Sequence, residues 1–178
     1  MRIITGAYKG RRLYTPADDK IRPTTDKVKE ALFSILTGEV YGSNVLDLFA
    51  GTGSLGLEAL SRGARHCWFG DNSRESLRLL KENIAHCQAS DKATVLAGDF
   101  RKVLGRLQEK MDIILLDPPY NQDMLPVCFE QIQACDVLAE GGVVIAEHRR
   151  EEILPEQVGN LEKVKERAYG TVVLSIYS

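Results

Sequence analysis

The feature that most restricts the fold is a short apolar segment, Asn44–Phe49 (NVLDLF), running into Gly51-Thr52-Gly53-Ser54-Leu55-Gly56 and then into a helical pattern over Ser54–Arg62 closed by Gly63. A strand that turns through glycines into a helix is one half of a β-α-β unit. It commits the chain to a parallel sheet with helices packed on it. The rest of the chain repeats the alternation. His66–Gly70, Ala93–Leu96, Asp112–Leu116 and Gly142–Glu147 read as strands, and Arg74–Cys87, Phe100–Glu109 and Pro126–Val137 as helices. Asp112–Leu116 (DIILL) is almost continuously apolar, as the buried middle of a parallel sheet requires. Leu161–Ala168 and Thr171–Tyr177, joined at Tyr169-Gly170, read as a closing hairpin. Ahead of the first strand, Val28, Ala31, Leu32, Ile35 and Leu36 mark one face of a helix that Thr25 or Asp26 can cap.

These elements predict an α/β fold with an open, doubly wound sheet in a single domain of 178 residues. Ligands of such sheets bind beyond the carboxyl ends of the strands, so the loops after Phe49, Gly70, Leu96 and Leu116 are the ones expected to carry chemistry. No apolar run approaches the ~20 residues of a membrane span, and the first residues lack the apolar core of a secretory leader. A cytoplasmic location with no membrane partner is expected. The four cysteines, Cys67, Cys87, Cys128 and Cys135, have neither zinc-ribbon nor redox-pair spacing and are expected to be free thiols. His66, His86 and His148 show no metal-ligand spacing, so no metal is expected. Trp68, inside an apolar strand, is expected in the core.

Charge is unevenly distributed. Residues 1–30 carry eight Lys/Arg against four acids, a local +4 in a chain of net −2, which leaves −6 on residues 31–178. A basic arm on an acidic body suits a polyanionic partner. Residues 1–23 are expected to form that arm or hairpin, with Lys9, Arg11, Arg12, Arg22 and Thr24 meeting RNA. Because the arm precedes the cleft-forming strands, it is expected to stand apart from any cofactor.

The glycine loop matches G-x-G-x-x-G, and Asp71 follows Gly51 by 20 residues, as in dinucleotide sites. The pattern serves either nicotinamide dinucleotides or S-adenosylmethionine, since both carry an adenosine whose ribose a carboxylate can grip. Two further acids favour the second ligand. Asp47 lies within the strand, where it suits the ammonium of a methionine moiety, and Asp99 follows the third strand, where it can accept from an adenine amino group while Phe100 covers the ring. Acids at three strand ends fit a cationic sulfonium ligand and fit a pyrophosphate poorly.

The fourth strand ends in Asp117-Pro118-Pro119-Tyr120. Two prolines fix the backbone and remove two N–H donors. The Asp117 carboxylate and the Pro118 carbonyl are left as acceptors for the two hydrogens of an exocyclic amino group. Such acceptors aim the nitrogen lone pair at a methyl donor, and Asp117 can take up the released proton. Tyr120 offers a ring for a base to stack on, worth ~1–3 kcal/mol.

Asp117–Tyr120 after a Gly-x-Gly loop resembles the amino-methyltransferases of adenine, guanine and glutamine. Ile3-Ile4-Thr5-Gly6, Lys9–Leu13, Ile21–Asp26, Lys27–Phe33 and Leu46–Gly53 sharpen this. Together they resemble the RsmD-type 16S rRNA guanine-N2 methyltransferases over essentially the whole chain. Lys29, where arginine is expected, and Asn72 after Asp71 depart from the pattern.

The resemblance implies a Rossmann-like class I methyltransferase fold with a mostly parallel seven-stranded sheet and a C-terminal antiparallel hairpin. It also implies S-adenosylmethionine as donor and, as partner, 16S rRNA in an assembling small ribosomal subunit. Expected catalytic residues are Asp117, Pro118, Pro119 and Tyr120. Expected cofactor contacts are Asp47, Phe49, Gly51, Gly53, Asp71, Asn72, Asp99 and Phe100. The residues alone leave guanine and adenine open.

A DNA adenine-N6 methyltransferase would use the same loop, though 178 residues leave little room for a target-recognition segment. A glutamine methyltransferase fits the basic arm less well. An NAD-dependent oxidoreductase leaves Asp117–Tyr120 without a role, and a non-catalytic RNA-binding factor leaves the cleft without one. Glu147-His148-Arg149-Arg150 reads as a solvated loop or an RNA contact and stays outside the expected site. No dimerisation stripe is evident, so a monomer is expected.

Overall fold

Strand alternation decides the architecture, because both faces of the central strands are apolar and both must be covered. The structure is a computed structural model that describes residues 1–16, 25–119 and 123–178. In β1 (Asn44–Asp47) and β4 (Met111–Leu116), Val45, Ile113 and Leu115 enter one hydrophobic cluster, and Leu46, Ile114 and Leu116 enter another. Helices α1 (Thr25–Ile35), α2 (Ser54–Ser61) and α3 (Arg74–His86) cover the first face. Helices α4 (Phe100–Arg106) and α5 (Leu125–Ala134) cover the second.

The remaining strands are β2 (His66–Asp71), β3 (Ala93–Ala97), β5 (Leu138–Arg149), β6 (Gln157–Val158), β7 (Leu161–Tyr169) and β8 (Val172–Tyr177). Their order is β3-β2-β1-β4-β5-β8-β7-β6. The first five run parallel, and β8, β7 and β6 are antiparallel. The chain reverses its direction of travel across the sheet between β1 and β4, and a crevice opens at that switch point.

The doubly wound α/β fold and its C-terminal hairpin are as expected, with three corrections of extent. The described residues form eight strands, not seven; the extra one is the two-residue β6. β5 begins at Leu138, because Leu138 already pairs with Met111 ahead of the Gly141-Gly142 break that reads as its start. α4 stops at Arg106 because Leu107 turns extended toward β4. Trp68 is half-buried at the margin of the second cluster, where β2 neighbours the edge strand β3. Among the described residues no helix is long and apolar enough to cross a membrane.

The N-terminal segment is a hairpin docked on the body. Arg2 and Arg12 face each other in an antiparallel bridge, Ile3 N donates to Arg11 O at 2.9 Å and Leu13 N to Met1 O at 2.9 Å. Alternation sends Ile3 and Leu13 into the first cluster and leaves Arg2, Arg12 and Tyr14 exposed. The turn seats on α2: Ala7 N donates to Ser61 O at 2.8 Å, and Ser61 Oγ donates to Thr5 O at 2.6 Å. Gly6 is required there, since a Cβ would stand 1.9 Å from the Ser61 carbonyl oxygen.

Candidate active site

Carbonyl ends of parallel strands point one way, so the loops after β1, β2, β3 and β4 converge on one crevice of about 1020 Å³. Gly53 starts α2 in the left-handed region, φ 92°, which lets the chain turn from strand to helix within a few residues. Gly51 N donates to Asp71 Oδ2 and Ser73 N to Asp71 Oδ1, both at 2.8 Å. The Asp71 carboxylate is thereby held at the tip of β2, with lone pairs left for the hydroxyls of a ligand. Ser73 Oγ in turn accepts from Ser76 N and starts α3. Asp99 caps α4 by accepting from Arg101 N at 2.9 Å and lines the crevice beside Gly98.

Asp47 lies deeper than its place in the sequence suggests. It is buried, and its Oδ2 accepts from Gly56 N at 2.9 Å in the first turn of α2. Burial pushes its carboxyl up, the Gly56 N–H pulls it back and the nearby Asp117 and Asp71 add to the rise, which together place it at about 7. Carboxyl groups crowding one crevice are relieved by a cation and aggravated by a pyrophosphate. This arrangement fits the ammonium, sulfonium and ribose of S-adenosylmethionine. Phe49 and Phe100 pack with ring centroids 5.7 Å apart. Phe100 is buried in the second cluster and Phe49 half-buried, so Phe49 shows the crevice more of its ring. Asn72 is exposed on the rim.

Across the crevice, the end of β4 brings Asp117 and Pro119 to the wall, with Pro118 buried behind them. Asp117 Oδ1 is buried. Tyr120, Arg22 and Thr24, assigned to the base and to RNA from the sequence, lie outside the described residues. Burial raises the thiols of Cys67, Cys87 and Cys128, the last to about 12, which keeps them protonated and inert as nucleophiles. Among the described residues no group of three or more His, Cys, Asp and Glu could hold a metal ion.

The hairpin corrects two expectations. It does not stand apart from the crevice: Met1, Arg2, Arg12, Thr15 and Pro16 form one wall. Nor do the Arg11 and Arg12 side chains face the same way. Arg11 turns to the body, donating to His86 O at 3.4 Å with its guanidinium 5.5 Å from the Tyr8 ring centroid. Lys9 stays exposed. The side chain that shares Arg12's face is Arg2, which hairpin alternation around buried Ile3 and Leu13 could have revealed. Glu147 also lines the crevice and belongs to a strand, as does His148, which is buried against Ser175 Oγ at 2.8 Å; neither sits in a solvated loop.

Lys29 and Glu58 form a joint that sequence reasoning missed. Lys29 is 1% exposed and spends its three hydrogens on Arg2 O, Ser54 Oγ and Glu58 Oε1 at 2.8, 2.9 and 3.2 Å. Burial lowers its pKa, and Glu58 pulls it back up. Glu58 also accepts from Ile4 N, Thr5 N and Arg62 Nε. Three separate segments, the hairpin, α1 and α2, are thus fastened beside the glycine loop. In the sequence Lys29 stands out only as a lysine where arginine is expected, and Glu58 does not stand out at all.

The model of the family described as "Conserved hypothetical protein 95" matches residues 1–178. The chain belongs to this family, the RsmD family. Its relatives include an rRNA methyltransferase candidate of Bacillus subtilis (strain 168), YlbH, 39% identical over 99% of this chain and 98% of that protein. They also include the ribosomal RNA small subunit methyltransferase D of Escherichia coli (strain K12), 32% identical over 99% of this chain and 89% of that one. A solved structure of an Escherichia coli methyltransferase candidate, yhhF, superposes with a TM-score of 0.89, at 33% identity over 99% of this chain and 96% of that chain.

Proposed function

We propose that this protein transfers a methyl group from S-adenosylmethionine to the exocyclic N2 of a guanine in 16S rRNA of the small ribosomal subunit. The observation that carries the reading is the meeting, across one crevice, of the wall formed by Asp117 and Pro119 with the Gly51–Asp71 loop system. Asp47, Phe49, Gly51, Gly53, Asp71, Asn72, Asp99 and Phe100 would hold the cofactor, which when bound supplies an electrophilic methyl group. Asp71 would accept the ribose hydroxyls, Asp99 the adenine amino hydrogens, and Asp47 would face the ammonium. Asp117 Oδ would accept a hydrogen of the guanine amino group and take up its proton as the nitrogen is methylated. Proline geometry keeps this wall from adjusting, so the amino group is aligned rather than merely bound. Tyr120 would stack on the base. The names of the relatives support rRNA as the acceptor class.

The direct test is incubation of the protein and S-adenosylmethionine with small subunits and rRNA lacking the modification, followed by digestion to nucleosides. N2-methylguanosine at one position, formed better on assembling particles than on naked RNA, is expected. N6-methyladenosine, or methylation of DNA in preference to RNA, would replace the reading with the adenine alternative.

RNA contact is assigned to the exposed face of the hairpin. Each phosphate contact releases condensed counterions, so affinity falls with salt. Replacing Arg2 and Arg12 together with alanine is expected to weaken RNA binding and to flatten the log–log salt slope by roughly 0.7–0.9 per lost contact. Arg11→Ala, whose side chain faces the body, is expected to leave that slope nearly unchanged. Titrations at several salt concentrations measure both. Parallel slopes for the double variant and wild type would remove the hairpin from the RNA surface.

A further inference from the structure

Behind the crevice, outside its lining, lies an amide that no step so far uses. Asn83, in the third turn of α3, is 0% exposed. Its Nδ2 donates to Thr52 O at 2.9 Å and to Tyr14 O at 3.0 Å, while its Oδ1 accepts from Tyr14 N at 2.7 Å. One side chain therefore ties the x position of the Gly-x-Gly turn to the second strand of the hairpin, segments 31 and 69 residues away from it. Both ends of this tie matter to the crevice, because Thr52 lines it from the cofactor side and Thr15 and Pro16, next to Tyr14, line it from the hairpin side. One helical turn on, His86 continues the seat: its ring centroid is 5.5 Å from that of Tyr14, and its carbonyl accepts from Arg11.

The geometry is specific to an amide. A carboxylate at this position would accept from Tyr14 N but would set negative charge against two carbonyl oxygens. An apolar side chain would leave the Tyr14 N–H, the Tyr14 carbonyl and the Thr52 carbonyl without the partner that Asn83 gives them at this part-buried junction. The other strand of the hairpin is tied on the far side of Gly53, through Lys29 from Arg2 O to Ser54 Oγ. The glycine turn is thus held at Thr52 and at Ser54, and each tie ends on the hairpin.

We propose that Asn83 is a positioning residue that couples the cofactor loop to the RNA-facing hairpin, so that filling the cofactor site tightens RNA binding and bound RNA tightens cofactor binding. This rests on the function proposed above. A ligand seated on the Gly51–Gly53 turn fixes the Thr52 carbonyl, and the fixed carbonyl orients the Asn83 amide that holds Tyr14. The hairpin then meets the polyanion already ordered, and its ordering entropy no longer opposes binding. Reciprocity follows, since a coupling free energy acts equally on both ligands.

The experiment measures affinity for a labelled 16S rRNA fragment by anisotropy, with and without saturating S-adenosylhomocysteine, after calorimetry of S-adenosylhomocysteine alone. In wild type the analogue is expected to tighten RNA binding at least about fivefold, the lower end of ordinary coupling. In Asn83→Ala and in the isosteric Asn83→Asp the ratio is expected to fall to about one, with both ligands still bound. Loss of packing alone would lower the unfolding midpoint or weaken each affinity without changing their ratio. Hydrogen exchange at the Tyr14 amide of wild type needs no variant, and it is expected to slow at least about tenfold when S-adenosylhomocysteine binds. A wild-type ratio of one, a ratio preserved in both variants, or unchanged Tyr14 exchange overturns the coupling while leaving the methyltransferase reading in place. Absence of any S-adenosylhomocysteine binding to wild type overturns both.

Discussion

Asp117→Ala is expected to cut the single-turnover methylation rate by about 10²–10⁴-fold, the range lost with a positioned proton acceptor, while cofactor affinity stays within a few-fold of wild type. Asp117 stands on the β4 wall of the crevice, opposite the loops assigned to the cofactor, so its loss falls on the nucleophile and not on the donor. Asp117→Asn keeps an acceptor oxygen but no longer takes up a proton, and an intermediate rate is expected. The Asp117 charge also helps push the Asp47 carboxyl up to about 7, so its removal should let Asp47 ionise at lower pH. Single-turnover rates at saturating RNA and cofactor, followed across pH, read both effects. A near-normal rate for Asp117→Ala would remove the residue from the chemistry and leave Asp117–Pro119 as a structural feature of the crevice wall.

Glu58→Ala is expected to destabilise the fold by about 3–5 kcal/mol, the usual consequence of breaking a buried ion pair from one side. Domains of this kind retain only ~5–15 kcal/mol in total, so the loss would be a large share of stability. The physical cause is specific. Glu58 is 0% exposed and accepts from Lys29, Arg62 and the Ile4 and Thr5 amides. Its removal strands a buried ammonium and two backbone donors together. Glu58→Gln keeps an acceptor oxygen and is expected to lose roughly half as much, since the Lys29 charge still lacks its counter-ion. Urea denaturation followed by circular dichroism measures the difference. A loss below about 1 kcal/mol for the alanine variant would show that apolar contacts and the Ser61 hydrogen bonds hold the hairpin, α1 and α2 together without the ion pair.

Much of this protein is legible along the chain because the deciding interactions are local or periodic. The apolar run Asp112–Leu116 declares a strand covered on both faces, and that is where β4 lies, central in the sheet. Asn44–Gly56 declares the strand-turn-helix unit, since only a few residue types allow a left-handed turn at Gly53. The acids at successive strand ends follow from the same logic: once the strands are parallel, their carboxyl ends must gather at one edge. Asp47, Asp71, Asp99 and Asp117 accordingly share a crevice.

What only the tertiary structure decided concerns groups whose partners are remote in sequence. The local pattern places Lys29 and Asn83 in helices but carries nothing about their burial and bonding, which depend on a hairpin folded back from 27 and 69 residues away. The same docking separated Arg12 from Arg11, gave it Arg2 as partner and made the basic arm a wall of the crevice. Net charge by segment states that a basic arm exists; it contains nothing about which guanidinium faces outward. By itself the sequence determined the sheet, the glycine turn and the acids at the strand ends, because backbone sterics and side-chain period act within a few residues. The tertiary structure decided which polar side chains are buried and what they fasten. Desolvation and hydrogen bonding are settled only when distant segments meet.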